Sequence, residues 1–191
     1  MNQHKSQTKS DAARQFIVLV GLMGSGKTSI GRRIAGASGL PFVDTDDEVE
    51  KAAGCTIPEI FSRFGEQEFR NGERRVIARI LAGQPSVIAS GGGSFIDGQT
   101  RAAIKKHGVC IWLRADLDTL VKRTQRKNNR PLLQNGDPRE ILRRLMEERY
   151  PIYGEADIII DVGDELADHT AKRAMKLIDE FRKQDAAASV K

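Results

Sequence analysis

Short apolar runs alternate along this chain with longer stretches whose apolar residues recur at helical spacing. Phe16-Ile17-Val18-Leu19-Val20, Phe42-Val43, Ser86 to Ala89, Val109-Cys110-Ile111-Trp112-Leu113 and Asp157-Ile158-Ile159-Ile160-Asp161 read as five strands. Near-continuous apolar runs suit strands covered on both faces. A helix is predicted from Ser29 onward, and another over Asp47 to Ala53, with its cap in Asp44-Thr45-Asp46-Asp47 and Gly54 closing it. Thr56 to Phe64 reads as a short helix that Gly65 breaks. From Glu66 to Ala82, Phe69, Val76, Ile77, Ile80 and Leu81 form one face and Arg70, Arg74, Arg75 and Arg79 the other. Gly98 to Lys106, Asp116 to about Thr124, Pro138 to Arg149 and Leu166 to Phe181 complete the helices. Strand–helix alternation of this kind predicts a three-layer α/β/α fold around a five-stranded parallel sheet.

Ligands of such sheets sit outside the carboxyl ends of the strands. Four segments are thereby predicted at one rim: residues 21–28, 44–46 and 91–93, and the entry to the helix at Arg114-Ala115-Asp116. The first, Gly21-Leu22-Met23-Gly24-Ser25-Gly26-Lys27-Thr28, is a P-loop between a strand and a helix. Its glycines let successive backbone N–H groups converge on phosphate oxygens, and the helix N-terminus adds positive dipole there. Gly24, Ser25, Gly26, Lys27, Thr28 and Ser29 are the nucleotide-binding candidates. Lys27 is expected near the β- and γ-phosphates, and the Thr28 hydroxyl on Mg²⁺.

Composition narrows the picture only slightly. The 191 residues fit one domain, expected over 15–183, with a mobile tail at 1–14 and a frayed end at 184–191. The net charge of +5 comes without a Lys/Arg block or an aromatic-rich basic motif. Anionic small ligands are therefore the expected partners, with no nucleic acid. Cys55 and Cys110 have no metal-site spacing, and reduced thiols suit the cytoplasm. No apolar stretch is long enough to span a bilayer, and no coiled-coil seam argues against a monomer.

Several rim residues carry two readings. Asp44 and Asp46 could simply cap a helix. Beside a P-loop, Asp44 is the better Mg²⁺ candidate, through water, and Asp46 the better partner for a substrate hydroxyl, since residues two apart on an extended segment share a face. Gly91-Gly92-Gly93 is either a flexible turn or a place where substrate meets bare backbone. Arg70 reads as a solvated helix arginine and Arg149 as a charge at a helix end; spacing alone gives neither a function. The polar, basic stretch from Gln125 to Asp137, with Arg130 in it, is expected to be a mobile excursion. An arginine carried there suits phosphoryl transfer, where charge spreads over the γ-phosphate and water must be excluded.

Taken together, the P-loop, Phe42-Val43-Asp44-Thr45-Asp46, Gly65-Glu66-Gln67-Glu68-Phe69-Arg70, Gly91-Gly92-Gly93, Arg130-Pro131-Leu132-Leu133 and Glu148-Arg149-Tyr150-Pro151-Ile152-Tyr153 resemble the shikimate kinase family. The resemblance runs from Phe16 to the last strand. It implies a P-loop fold of the nucleoside monophosphate kinase-like kind with a mobile lid at about 122–137. It also implies transfer of the γ-phosphoryl of ATP to the 3-hydroxyl of shikimate, on the route to chorismate and the aromatic amino acids. Arg70 and Arg149 would clamp the shikimate carboxylate. Asp46 and the backbone around Gly92 would hold ring hydroxyls, with Asp46 taking the 3-hydroxyl proton. Arg130 would reach the phosphates from the lid, and Arg123 would lie against the adenine. Lys27, Asp46 and Arg130 would be the catalytic residues. The family often has a basic residue and a proline after the last strand; Val162-Gly163-Asp164-Glu165-Leu166 departs from this, and no residue there is assigned to the base. A small-molecule kinase such as a gluconate kinase is the nearest alternative. A nucleotide-binding module without turnover is the other, disfavoured because Lys27, Asp46 and Arg130 are all present.

Overall fold

The computed structural model describes residues 14–125 and 136–188. Among these residues five strands, β1 (Phe16–Val20), β2 (Phe42–Asp44), β3 (Val87–Ala89), β4 (Gly108–Arg114) and β5 (Ile158–Asp161), alternate with seven helices. These are α1 (Lys27–Ser38), α2 (Thr45–Ala53), α3 (Ile57–Leu81), α4 (Gly98–His107), α5 (Leu117–Thr124), α6 (Pro138–Tyr153) and α7 (Ala167–Ala188), with a 3₁₀ turn at Ser94–Ile96. All strand pairs are parallel, in the order β2-β3-β1-β4-β5.

β1 is the central strand, and every one of its residues is buried. Leu19 lies opposite both Ala89 and Ile111, and Val20 opposite Trp112. The chain leaves β1 where connections on its two sides run in opposite directions, so the loop that follows opens into a crevice between β3 and β4. The main core packs β1, β3 and β4 against α1, α6 and α7, while Val49, Ile60, Phe69 and Val76 form a smaller cluster between α2 and α3.

Several boundaries differ from the sequence expectation. α2 starts at Thr45 rather than Asp47, because Asp44 itself is the N-cap and accepts from the Asp46 N–H. Asp46 therefore sits in the first helical turn, and the shared extended face is not what pairs it with Asp44. α6 continues through Pro151 to Tyr153, so Arg149 is inside a helix and not at its end. α7 begins at Ala167 and reaches Ala188, past the expected stop at Phe181. Arg14 belongs to the fold rather than to a tail. Its guanidinium lies 2.7 Å from Asp157 and over the Phe181 ring, and the same Asp157 oxygen accepts the Cys110 N–H. The break at Gly65 is as expected: φ of 80° and ψ of 172° interrupt α3 there, a backbone that glycine adopts without strain.

Asp116 shows how the fold reaches the site. It caps α5, accepting the Thr119 N–H at 2.7 Å and the Thr119 hydroxyl at 2.9 Å, and α5 carries Arg123. Those bonds, the backbone one foremost, hold its carboxyl below the ordinary aspartate value. A depressed value in the folded state means that the contribution is present at neutral pH and is lost as acid protonates the carboxylate. Asp116→Ala should cost about 1 kcal/mol at neutral pH. The difference from wild type should shrink below about pH 4, as read by urea denaturation.

Candidate active site

A cleft of about 540 Å³ opens at the carboxyl ends of β1, β2 and β3. Gly24, Gly26, Lys27, Thr28 and Ser29 line it, with Asp44, Asp46, Arg70, Gly91, Gly92, Gly93, Arg123 and Arg149. Three of the four predicted rim segments thus meet. The fourth, Arg114 to Asp116, acts indirectly by launching α5. A larger groove of about 620 Å³ lies between α2 and α3, but its lining is mostly apolar and includes no part of the P-loop.

On the nucleotide side, Gly26 takes a left-handed φ of 95° and leads into α1, with no side-chain cap over the first helical amides. Those amides are the donors a phosphate needs. The Lys27 ammonium donates to the carbonyls of Gly21 at 2.8 Å and Leu22 at 2.9 Å, which keep it within the loop. The Ser25 side chain is buried below the cleft surface, and its N–H donates to the Leu22 carbonyl. Arg123 donates to the carbonyls of Gly24, at 3.3 Å, and Gly163. The divergent stretch after β5 therefore reaches the site through its backbone.

The Thr28 hydroxyl donates to Asp44 at 2.9 Å, while the other Asp44 oxygen caps α2 at 3.2 Å. One carboxylate thus caps α2 and also faces the P-loop threonine. No cluster of three or more His, Cys, Asp or Glu suited to a metal exists among the described residues. One hydroxyl beside one carboxylate fits Mg²⁺, which keeps several waters and takes phosphate oxygens in preference to a protein cage.

The acceptor side is pinned from several elements. The Gly91 N–H donates to the buried Thr45 hydroxyl at 2.8 Å, and the Gly92 carbonyl accepts from Arg149 at 2.9 Å and from the Tyr153 hydroxyl. Glu73, 3% exposed, accepts from Ser94 at 2.6 Å with one oxygen and from Arg70 at 2.9 Å with the other. Arg70 also donates to Glu66 at 3.1 Å. Two of the three glycines approach charged side chains closely, while Gly92 has room to spare. A Cβ on Gly93 would overlap the Arg70 guanidinium, and one on Gly91 would overlap the Glu73 carboxylate and lie 3.0 Å from Asp46. A side chain at Gly91 or Gly93 would thus push aside Glu73 or Arg70.

Glu73, Thr45, Ser94 and Tyr153 were not singled out from sequence. Glu73 had a usable signal, its i,i+3 spacing from Arg70 on a predicted helix. Thr45, Ser94 and Tyr153 join the site only through tertiary contacts. Arg130 lies outside the described residues.

A phosphate cradle with a lysine thus faces a carboxylate, a bare glycine turn and two guanidinium groups across one cleft. That arrangement on this sheet defines a P-loop kinase with a small anionic acceptor. The shikimate kinase family model matches residues 23–179, and the chain belongs to that family. It is 58% identical to a shikimate kinase of Paramagnetospirillum magneticum over 84% of this chain and 82% of that one. It is similar also to the structure of a shikimate kinase from Acinetobacter baumannii in complex with shikimate, with a TM-score of 0.85 and 36% identity over 90% and 97% of the two chains. A gluconokinase from Sinorhizobium meliloti shares the fold, with a TM-score of 0.59 at 22% identity over 88% and 96% of the two chains.

The Arg70–Glu73 pair is the most deeply placed charge pair of the cleft. Removing one partner of such a pair strands the other. Glu73→Ala should destabilise the protein by about 2–3 kcal/mol in urea denaturation, the lower end because Arg70 keeps Glu66. Glu73→Gln, which can still accept from Ser94, should lose less. Equal stability of Glu73→Ala and wild type would contradict this reading.

Proposed function

We propose that this chain transfers the γ-phosphoryl group of ATP to the 3-hydroxyl of shikimate, forming shikimate 3-phosphate on the way to chorismate and the aromatic amino acids. The observation that carries the reading is the convergence of Arg70 and Arg149, from separate helices, on the Gly91–Gly93 turn opposite the P-loop. Two planar guanidinium groups suit a carboxylate, and a carboxylate among hydroxyls is what separates shikimate from a neutral polyol. Gluconate also has a carboxylate, but the likeness to the gluconokinase supports the fold alone, whereas the shikimate kinases match in sequence as well.

Each residue then has a task. Gly24, Gly26 and the amides at the start of α1 bind the phosphates, with Lys27 drawing charge from the β- and γ-oxygens. Arg123 lies against the adenine. Thr28 directly and Asp44 through water hold Mg²⁺, which when bound offsets phosphate charge. Asp46 beside Gly91 orients the 3-hydroxyl and accepts its proton, while Gly92 and Gly93 let the ring approach the backbone. Arg130 stabilises charge as the γ-phosphoryl moves, an effect worth ~10³–10⁵ in rate where such an arginine is supplied. No helix among the described residues is long and apolar enough to cross a membrane. A cytoplasmic monomer is the state we propose.

An ADP-release assay with ATP and Mg²⁺ tests the reading, with shikimate and gluconate compared as acceptors. Turnover on shikimate alone is expected, and turnover on gluconate alone would overturn it. Arg149→Ala should raise the shikimate KM by the loss of a charge-assisted pair, ~2–5 kcal/mol, with the ATP KM kept. A raised ATP KM with an unmoved shikimate KM would contradict the clamp.

A further inference from the structure

Tyr153 ends α6 with its side chain fully buried, its ring near Trp112 (5.8 Å between centroids), Tyr150 (6.2 Å) and Phe95 (6.5 Å). Its hydroxyl donates to the Gly92 carbonyl, the same oxygen that accepts Arg149. Burial pushes that hydroxyl up to about 12, so it stays a neutral donor across the working pH range. A carbonyl with two donors cannot rotate freely. Because the peptide unit is planar and trans, fixing the Gly92 oxygen also fixes the direction of the Gly93 N–H.

We infer that Tyr153 is a positioning residue of the acceptor site: its hydroxyl sets the Gly92–Gly93 peptide plane and with it the point from which Arg149 meets the acceptor. The inference rests on the shikimate reading above. Without the hydroxyl, Arg149 alone holds a carbonyl that is free to turn, and the arginine is drawn toward that carbonyl at the expense of the acceptor carboxylate. Proton transfer is not part of this role.

Tyr150 provides an internal control. It packs against the same Trp112 ring at 4.8 Å and donates to a carbonyl as well, but to that of Ala115 at the exit of β4, away from the glycine turn. Trp112, the only tryptophan, is a built-in fluorescence reporter beside both rings. Tyr153→Phe and Tyr150→Phe each remove one tyrosyl–carbonyl bond and keep the ring.

The experiment measures shikimate KM, ATP KM, the pH profile of kcat, thermal unfolding and shikimate affinity by Trp112 fluorescence for wild type and both variants. Tyr153→Phe should raise the shikimate KM and Kd about tenfold, the scale of one lost hydrogen bond in a desolvated site. Its ATP KM and pH profile should be unchanged. Tyr150→Phe should unfold at a similarly lowered temperature with the shikimate KM in place. The role is overturned if Tyr153→Phe leaves the shikimate KM alone, if the two variants raise it equally, or if the ATP KM rises with it. A wild type that turns over no shikimate overturns the substrate reading and this role with it. Wild-type turnover with an unaltered Tyr153→Phe overturns the role alone.

Discussion

Two guanidinium groups held at one turn repel each other, and the acceptor half of this protein is arranged around that constraint. Glu73 and Glu66 hold Arg70, and the Gly92 carbonyl holds Arg149. Neither arrangement consumes every donor of the planar fork. Both arginines line the cleft, and the donors they do not spend on Glu73, Glu66 and the Gly92 carbonyl are those we propose for the acceptor carboxylate. The triple glycine is the geometric counterpart, because any Cβ at Gly91 or Gly93 would displace the very groups that supply the charge.

The two halves of the site are joined by three consecutive residues. Asp44 receives the Thr28 hydroxyl of the P-loop, Thr45 receives the Gly91 amide of the glycine turn, and Asp46 stands beside Gly91 in the cleft. A strand that ends directly in a helix makes this economy of chain possible. The Asp44 side chain occupies the first turn, and the buried Thr45 points into the fold. Asp46, the carboxylate we propose for the acceptor, is thus tied through one turn of backbone to Asp44, the one we propose for the metal. On that proposal, phosphoryl donor and acceptor would be set relative to each other by the fold itself.

The sheet, the P-loop and the break at Gly65 were legible because each depends on local sequence: apolar runs, glycine spacing and a residue that tolerates a positive φ. Convergence was not local. Arg70 and Arg149 read as ordinary helix arginines, and only the family resemblance joined them. The structure supplies the physical reason in Glu73, which joins its near neighbour Arg70 to the distant Ser94, and in Tyr153, whose partner is a backbone oxygen. The error at α2 came from treating Asp44-Thr45-Asp46 as extended when its first residue was already the cap. The error at α6 came from letting Pro151 end a helix whose last turn carries on through it. Arg14 was assigned to a tail because its partner, Asp157, is supplied by the opposite end of the domain.

The central claim is that the acceptor is recognised by its carboxylate between Arg70 and Arg149. Titration calorimetry of shikimate against its methyl ester, which keeps the ring hydroxyls and lacks the charge, tests it most directly. The account predicts that the ester binds at least about 30-fold more weakly, the scale of one lost charge-assisted pair. Equal affinity for acid and ester would contradict it.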